Sequence, residues 1–266
     1  SPSSADNLTG KIVFTCQVSR VQAYDQICIM NADGSGFRQL TSENLRHYYP
    51  SLSPDGQTVV YAAFREQNVY EIYEYNLNSG NVTRLTDRLG VSNAPEISPN
   101  GESIAFMRGN PNTQQNQIWI MDRDGNEPGN VPGALGWDPT WSPDGRSILF
   151  APDRDGAVQL FTVSLRGNAI SRISNLPAIR GRSDWSPDGN FIVTYSGEPW
   201  NRELYIMSAD GLNARQLTPT GGNSQGPSFS PDGGWVVFTA YFDHYGDDHG
   251  CEIYVIRTNG SDLRRL

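Results

Sequence analysis

A chain of 266 residues with 37% apolar residues, 27 glycines and 17 prolines is interrupted by turn formers too often for long helices, and suits many short strands. Its net charge of −9 argues against a nucleic-acid partner, since phosphate binding needs clustered Lys and Arg. No window approaches the ~18 apolar residues of a membrane span. The three cysteines, Cys16, Cys28 and Cys251, form neither a metal pattern nor a dense disulfide framework.

Residues 1–9 are polar and read as a tail or a partial closing strand; residues 10–266 read as one domain. The first strand signal is "IVFTC" from Ile12, followed by "QICIM" from Gln26, the turn "NADG" from Asn31 and "FRQLT" from Phe37. A loop containing "LRHYY" then leads into a strand near Tyr48 and into Ser-Pro-Asp-Gly at Ser53, after which "TVVYAAF" begins. From here the order recurs. The tetrapeptide Ser-Pro-Asp/Asn-Gly starts at Ser53, Ser98, Ser142, Ser186 and Ser230, at spacings of 45, 44, 44 and 44 residues. A fixed period in that range signals a repeat architecture.

Within the unit at Ser142, Pro143 presets φ, Asp144 suits the second turn position and Gly145 supplies a left-handed residue. "SILFA", "VQLFTVS" and "AISRIS" follow as three strands separated by polar turns. The middle strand recurs as "EIYEY" from Glu71, "QIWIM" from Gln117, "ELYIM" from Glu203 and "EIYVI" from Glu252, and the outer one as "VTRLT" and "ARQLT". The unit ending near Ala134 has lost the outer signature and is expected to be irregular there. Four short strands per period give four-stranded antiparallel blades, so the expected fold is an all-β six-bladed β-propeller. The tetrapeptide is then the hairpin between a blade's innermost strand and its second strand.

These motifs, together with "IYVI"-like middle strands, resemble the TolB-type propeller repeat, also called PD40, over nearly the whole of residues 10–266. The resemblance implies a six-bladed ring, bacterial origin and an extracytoplasmic (periplasmic or secreted) location. One departure stands out. Innermost strands are recognisable near Tyr48, Asn93, Trp137, Gly181 and Gln225, but the first blade has none of its own.

Loops on one rim carry residue types that dominate interface energy, namely Arg, Trp and Tyr. The expected partner-binding set is Arg46, His47, Tyr48, Trp137, Asp138, Arg180, Arg182, Trp200 and Tyr241. Imidazole and carboxylate groups meet in "FDHYGDDHG", where Asp243, His244, Asp247 and His249 are candidate ligands for a divalent metal; no other cofactor is expected. "GNSQG" fits a nucleophile elbow on paper, but Ser224 precedes a strand rather than a helix, so it reads as a chance match. Cys28 takes the place of Tyr73, Trp119, Phe161, Tyr205 and Tyr254 and reads as a buried free thiol. Cys16 and Cys251 lie in the first and last blades, neighbours in a closed ring, and are expected to pair. The competing pair, Cys16 and Cys28, lies within one hairpin, about two residues out of register.

The functional expectation is a non-enzymatic propeller, a monomer or one domain of a larger protein, that recognises a protein or peptide through its rim and central channel. The alternative is a propeller linked to an enzyme: the gating domain of a prolyl-oligopeptidase-like hydrolase, which needs a catalytic α/β domain, or a metal-assisted lyase of the oligogalacturonate type, which needs a histidine-rich metal centre.

Overall fold

The repeated tetrapeptide folds the same way each time. In the unit at Ser142, Gly145 N–H donates to the Ser142 carbonyl at 2.8 Å. The Ser142 hydroxyl donates to Asp144 at 2.6 Å and accepts from Ser147 N–H at 3.0 Å. Ser53, Ser98, Ser186 and Ser230 make the equivalent pair of bonds. The serine thus satisfies a backbone donor beyond the turn, while the acid or amide holds the hydroxyl in place. The computed structural model describes residues 8–17, 24–66, 69–110, 112–152, 158–179, 181–242 and 252–266.

Strands β1 (Lys11–Cys16), β2 (Gln26–Asn31) and β3 (Arg38–Gln39) make a three-stranded antiparallel sheet. Two four-strand meanders follow: β4 (His47–Leu52), β5 (Thr58–Glu66), β6 (Val69–Asn76) and β7 (Val82–Arg84), then β8 (Val91–Ile97), β9 (Ser103–Gly109), β10 (Asn116–Asp122) and β11 (Gly129–Leu135). A parallel bridge between Tyr70 and Val91 joins them into one eight-stranded sheet. Three separate four-stranded sheets complete the chain. They are β12 (Trp137–Trp141) with β13 (Ser147–Ala151), β14 (Phe161–Ser164) and β15 (Ile170–Arg172); β16 (Asp184–Trp185) with β17 (Phe191–Glu198), β18 (Asn201–Ser208) and β19 (Arg215–Gln216); and β20 (Gln225–Phe229) with β21 (Trp235–Ala240), β22 (Glu252–Arg257) and β23 (Arg264–Arg265). The described residues contain strands and turns and no helix. The irregularity expected near Ala134 is a register shift between Gln117 and Trp119 where β11 pairs with β10.

A second device ties four of the outer strands to their modules, through Thr41, Thr86, Ser174 and Thr218. Thr41 accepts from Ile27 N–H at 2.9 Å and donates to Gln26 at 2.7 Å. Thr218 does the same with Leu204 N–H at 3.0 Å and Glu203 at 2.9 Å, which explains the recurring "QLT". The core lies between successive sheets: Ile148 and Phe150 pack with Ala105 and Ile118, and Val193 and Leu204 with Val236, Phe238 and Tyr254. Ile12 and Met30 of the first sheet pack with Val237, Ile253 and Leu266 of the last.

The cysteine expectation is corrected. Cys16 is bonded to Cys28, with Cα atoms 6.0 Å apart, so Cys28 is no free thiol and Cys16 is not available to Cys251, which lies outside the described residues. In the β1–β2 ladder Cys28 faces Phe14, while Cys16 faces Gln26. The two cysteines are therefore diagonal neighbours on one face, and a two-residue offset along an antiparallel pair still leaves the Cα atoms within disulfide reach.

Candidate functional site

Of the five strands that lead into the Ser-Pro-Asp/Asn-Gly turns, four carry the same local distortion. Their pairing with the second strand shifts register between Tyr48 and Ser51, Asn93 and Glu96, Trp137 and Thr140, and Gln225 and Ser228. At each shift one residue has a left-handed backbone: Tyr49 at φ 54°, Ala94 at 50°, Asp138 at 52° and Gly226 at 62°. Gly226 adopts this freely, whereas Tyr49 and Asp138 do so at a steric cost. Bulges re-aim side chains, and strained residues tend to gather where the surrounding structure holds them for a purpose.

These bulges surround a cavity of about 1400 Å³ whose lining includes Tyr48, Tyr49, Asp138, Arg182, Asp184 and Tyr241. A smaller cavity of about 300 Å³ adjoins it, lined by Tyr49, Ala94, Trp137 and Asp138 among others. Three carboxyl groups share the neighbourhood of one guanidinium. Glu96 contacts Arg182 at 3.2 Å, and Arg182 also acts electrostatically on Asp138 and Asp184. Burial pushes Glu96 up to about 7, against the opposing pull of Arg182. Burial raises Asp138 and Asp184 as well; Arg182 opposes it at both, and at Asp184 so do hydrogen bonds from Phe229 N–H and the Ser228 hydroxyl. Desolvated carboxyls at the edge of such a cavity form a site that a cationic group can stabilise.

Of the residues expected at a binding rim, the larger cavity collects Tyr48, Asp138, Arg182 and Tyr241, and Trp137 lines its neighbour. Trp200 is 65% exposed and packs edge-on against Tyr241, ring centroids 6.1 Å apart. Arg46 is exposed. His47 corrects the expectation: it is 0% exposed, packs on Tyr61 and places Nδ1 3.2 Å from the Asp25 carbonyl. Burial holds its pKa below the ordinary value, so it is a core imidazole out of a partner's reach. Arg180 and the metal candidates Asp243, His244, Asp247 and His249 lie outside the described residues. Ser224 is buried and donates to Glu203 at 3.3 Å, a structural contact.

The residue reading missed Tyr49, Glu96 and Asp184. A signal for the last two was present, because both stand two places before the tetrapeptide serine, where the other units carry Ser51, Thr140 and Ser228. An acid in a position otherwise held by hydroxyl residues marks a changed environment.

Comparison with known proteins gives a consistent result. The family model described as "TolB beta propeller domain" matches residues 6–199. An "Uncharacterized peptidase YuxL" of Bacillus subtilis is 28% identical over 191 residues, covering 55% of this chain and 29% of the relative. The "Tol-Pal system protein TolB" of Francisella tularensis is 26% identical over 193 residues, covering 71% of this chain and 44% of the relative. The crystal structure of TolB from Acinetobacter baumannii superposes with a TM-score of 0.83 at 24% identity, covering 97% of this chain and 64% of that one. The chain therefore spans less than half the length of these two relatives and under two thirds of the solved structure.

Proposed function

This chain belongs to the TolB β-propeller domain family, and from that premise we propose that it is a binding propeller, not an enzyme, which takes a peptide segment of a partner protein at the mouth of its central channel. The five four-strand modules and the three-stranded first sheet are the blades of a six-membered ring, with β4, β8, β12, β16 and β20 innermost. Packing of Ile12 and Met30 against Val237 and Ile253 supports closure of that ring. One observation carries the reading: the bulged innermost strands converge on a cavity of about 1400 Å³ that holds aromatic rings beside desolvated carboxyls. Such a mixture suits recognition of an extended peptide, since rings supply apolar area and the carboxyls orient donors. We place the protein outside the cytoplasm of a bacterium, where a disulfide such as Cys16–Cys28 forms and persists. No helix among the described residues is long and apolar enough to cross a membrane.

Selection of displayed random peptides on the immobilised chain tests this. Enriched peptides should lose at least about tenfold in affinity, some 1.4 kcal/mol, when Tyr49 and Asp138 are both replaced by Ala. No enrichment, or binding untouched by that double variant, would sink the reading. A second reading draws on the relative named as a peptidase, in which the propeller forms part of a longer hydrolase. Peptide cleavage by a longer product of the same gene would support it, and an inert product would retire it.

A further inference from the structure

The position four places before each turn serine holds Tyr49, Ala94, Asp138, Arg182 and Gly226, at spacings of 45, 44, 44 and 44 residues. Four of the five line the larger cavity, and Tyr49 and Asp138 also line the smaller one, together with Ala94. The turn residues that follow are nearly the same in every unit, whereas this position carries a ring, a methyl, a carboxyl, a guanidinium and a bare hydrogen. A repeated backbone position with five different chemistries is doing something other than holding the repeat. The smaller cavity, about 300 Å³, takes its lining from Tyr49 of β4, Asn93 and Ala94 of β8, Met107 of β9, and Trp137 and Asp138 of β12. Ala94 leaves that room, with only a methyl where the flanking units place a ring and a carboxyl.

The acceptors of this neighbourhood are unevenly served. Glu96 receives Trp141 N–H at 3.1 Å and the Arg182 guanidinium at 3.2 Å. Asp184 receives Phe229 N–H at 2.8 Å and the Ser228 hydroxyl at 2.9 Å. Asp138 has no such donor among the described residues: Arg182 acts on it only through space, and burial makes its charge costly. Asn93 Oδ1 is also buried without a donor among them. Buried acceptors in folded proteins are nearly always partnered, so two unmet ones at one cavity point to a ligand that donates.

We propose that the smaller cavity is a specificity pocket for an arginine side chain of the partner's peptide, with Asp138 as its counter-charge. This rests on the binding reading above and names the residue that the site selects. A guanidinium is planar and carries five N–H donors, so it pairs with a carboxylate while lying against an aromatic face. The rings of Tyr49 and Trp137 offer such faces, and Met107 offers an adaptable apolar contact to the methylene stem. Turning the Asn93 amide about its last bond presents Oδ1 to a second donor. An ammonium would meet the charge of Asp138 without the plane, and a neutral urea group would have the plane without the charge.

N-acetylarginine amide, titrated into the full chain by calorimetry, tests the pocket without the rest of a peptide. It should bind saturably, and the amides of N-acetylcitrulline and N-acetyllysine should bind at least about tenfold more weakly. Asp138→Asn should cost the arginine probe at least about tenfold and leave the citrulline probe as it was, since Asn keeps the shape and tolerates the left-handed backbone. Ala94→Tyr, which repeats at position 94 the residue that position 49 carries, should close the pocket to all three probes. If that variant fails to fold, the probe series and Asp138→Asn decide alone. Four results would overturn the pocket: no saturable binding of the arginine probe, equal affinity for citrulline or lysine, equal affinity in Asp138→Asn, or binding that appears only in Arg180→Gln, which would give the pocket to the chain's own side chain. Display-selected peptides that need Tyr49 and Asp138 yet tolerate citrulline at every arginine would leave the channel reading standing while this one falls. Saturable binding of the arginine probe to a chain that enriches no peptide would support the pocket and sink the channel reading.

Discussion

Glu96 and Trp141 lie 45 residues apart and meet where β8 and β12 come together: Trp141 N–H donates to Glu96 Oε1 at 3.1 Å, and its indole N–H donates to the Glu96 carbonyl at 3.1 Å. The contact recurs further along the chain, where Phe229 N–H donates to Asp184 Oδ2 at 2.8 Å across the same separation of 45. Thr140 does a similar job, donating to the Ser183 carbonyl at 2.8 Å. The residue two places before the tetrapeptide is therefore a latch between neighbouring modules, and at Glu96 and Asp184 the latch is an acid beside the cavity.

The latch makes stability depend on pH. Burial raises Glu96 from 4.5 to about 7 in the folded chain, so between those values the folded state holds a proton that the unfolded state has released. Its contribution is full below about 4.5 and is lost as pH rises through about 7. Calorimetry should show the native chain melting lower at neutral pH than near pH 5, by roughly 2–4 °C for each kcal/mol lost. Glu96→Gln should flatten that slope; an unchanged slope would put the titration elsewhere.

Asp138 holds a left-handed backbone at φ 52° and a carboxyl that burial destabilises. Asp138→Gly removes both costs, so thermal unfolding should shift upward, with about 1 kcal/mol gained from the backbone alone. Binding of the display-selected peptides should fall in the same variant. A gain in both properties would show that the carboxyl has no part in recognition.

The turn serine has a different signature. Ser142→Ala leaves Ser147 N–H without its acceptor and frees Asp144, a loss of about 1 kcal/mol for a half-buried hydrogen bond. Urea denaturation should report it as a lower midpoint with little change in slope. Peptide affinity should stay as in the native chain, since the turn serves the hairpin.

Non-reducing peptide mapping should recover Cys16 and Cys28 in one linked fragment. Reduction should then destabilise the chain by up to roughly 3 kcal/mol, the loop-closure figure for a crosslink over a dozen or so residues. Linkage of Cys16 to Cys251 instead would overturn the Cys16–Cys28 pairing.

How much of this was legible beforehand follows the range of the interactions. The period of the tetrapeptide, the strand runs behind it and the "QLT" pattern depend on bonds such as Ser142 to Ser147 and Thr41 to Ile27, which lie within one module and leave their mark in contiguous residues. Those signals, with the family resemblance, carried the all-β repeat. Tertiary structure decided the rest. A two-residue offset in the β1–β2 ladder reads as a mismatch on paper and becomes a disulfide in three dimensions. His47 looks like a rim residue until Tyr61 and Asp25 enclose it. Glu96, Asp138 and Asp184 become one group only when successive modules come together around Arg182, which stands two residues before Asp184. Local hydrogen bonding is written in the order of residues, whereas burial and charge pairing depend on which sheets become neighbours.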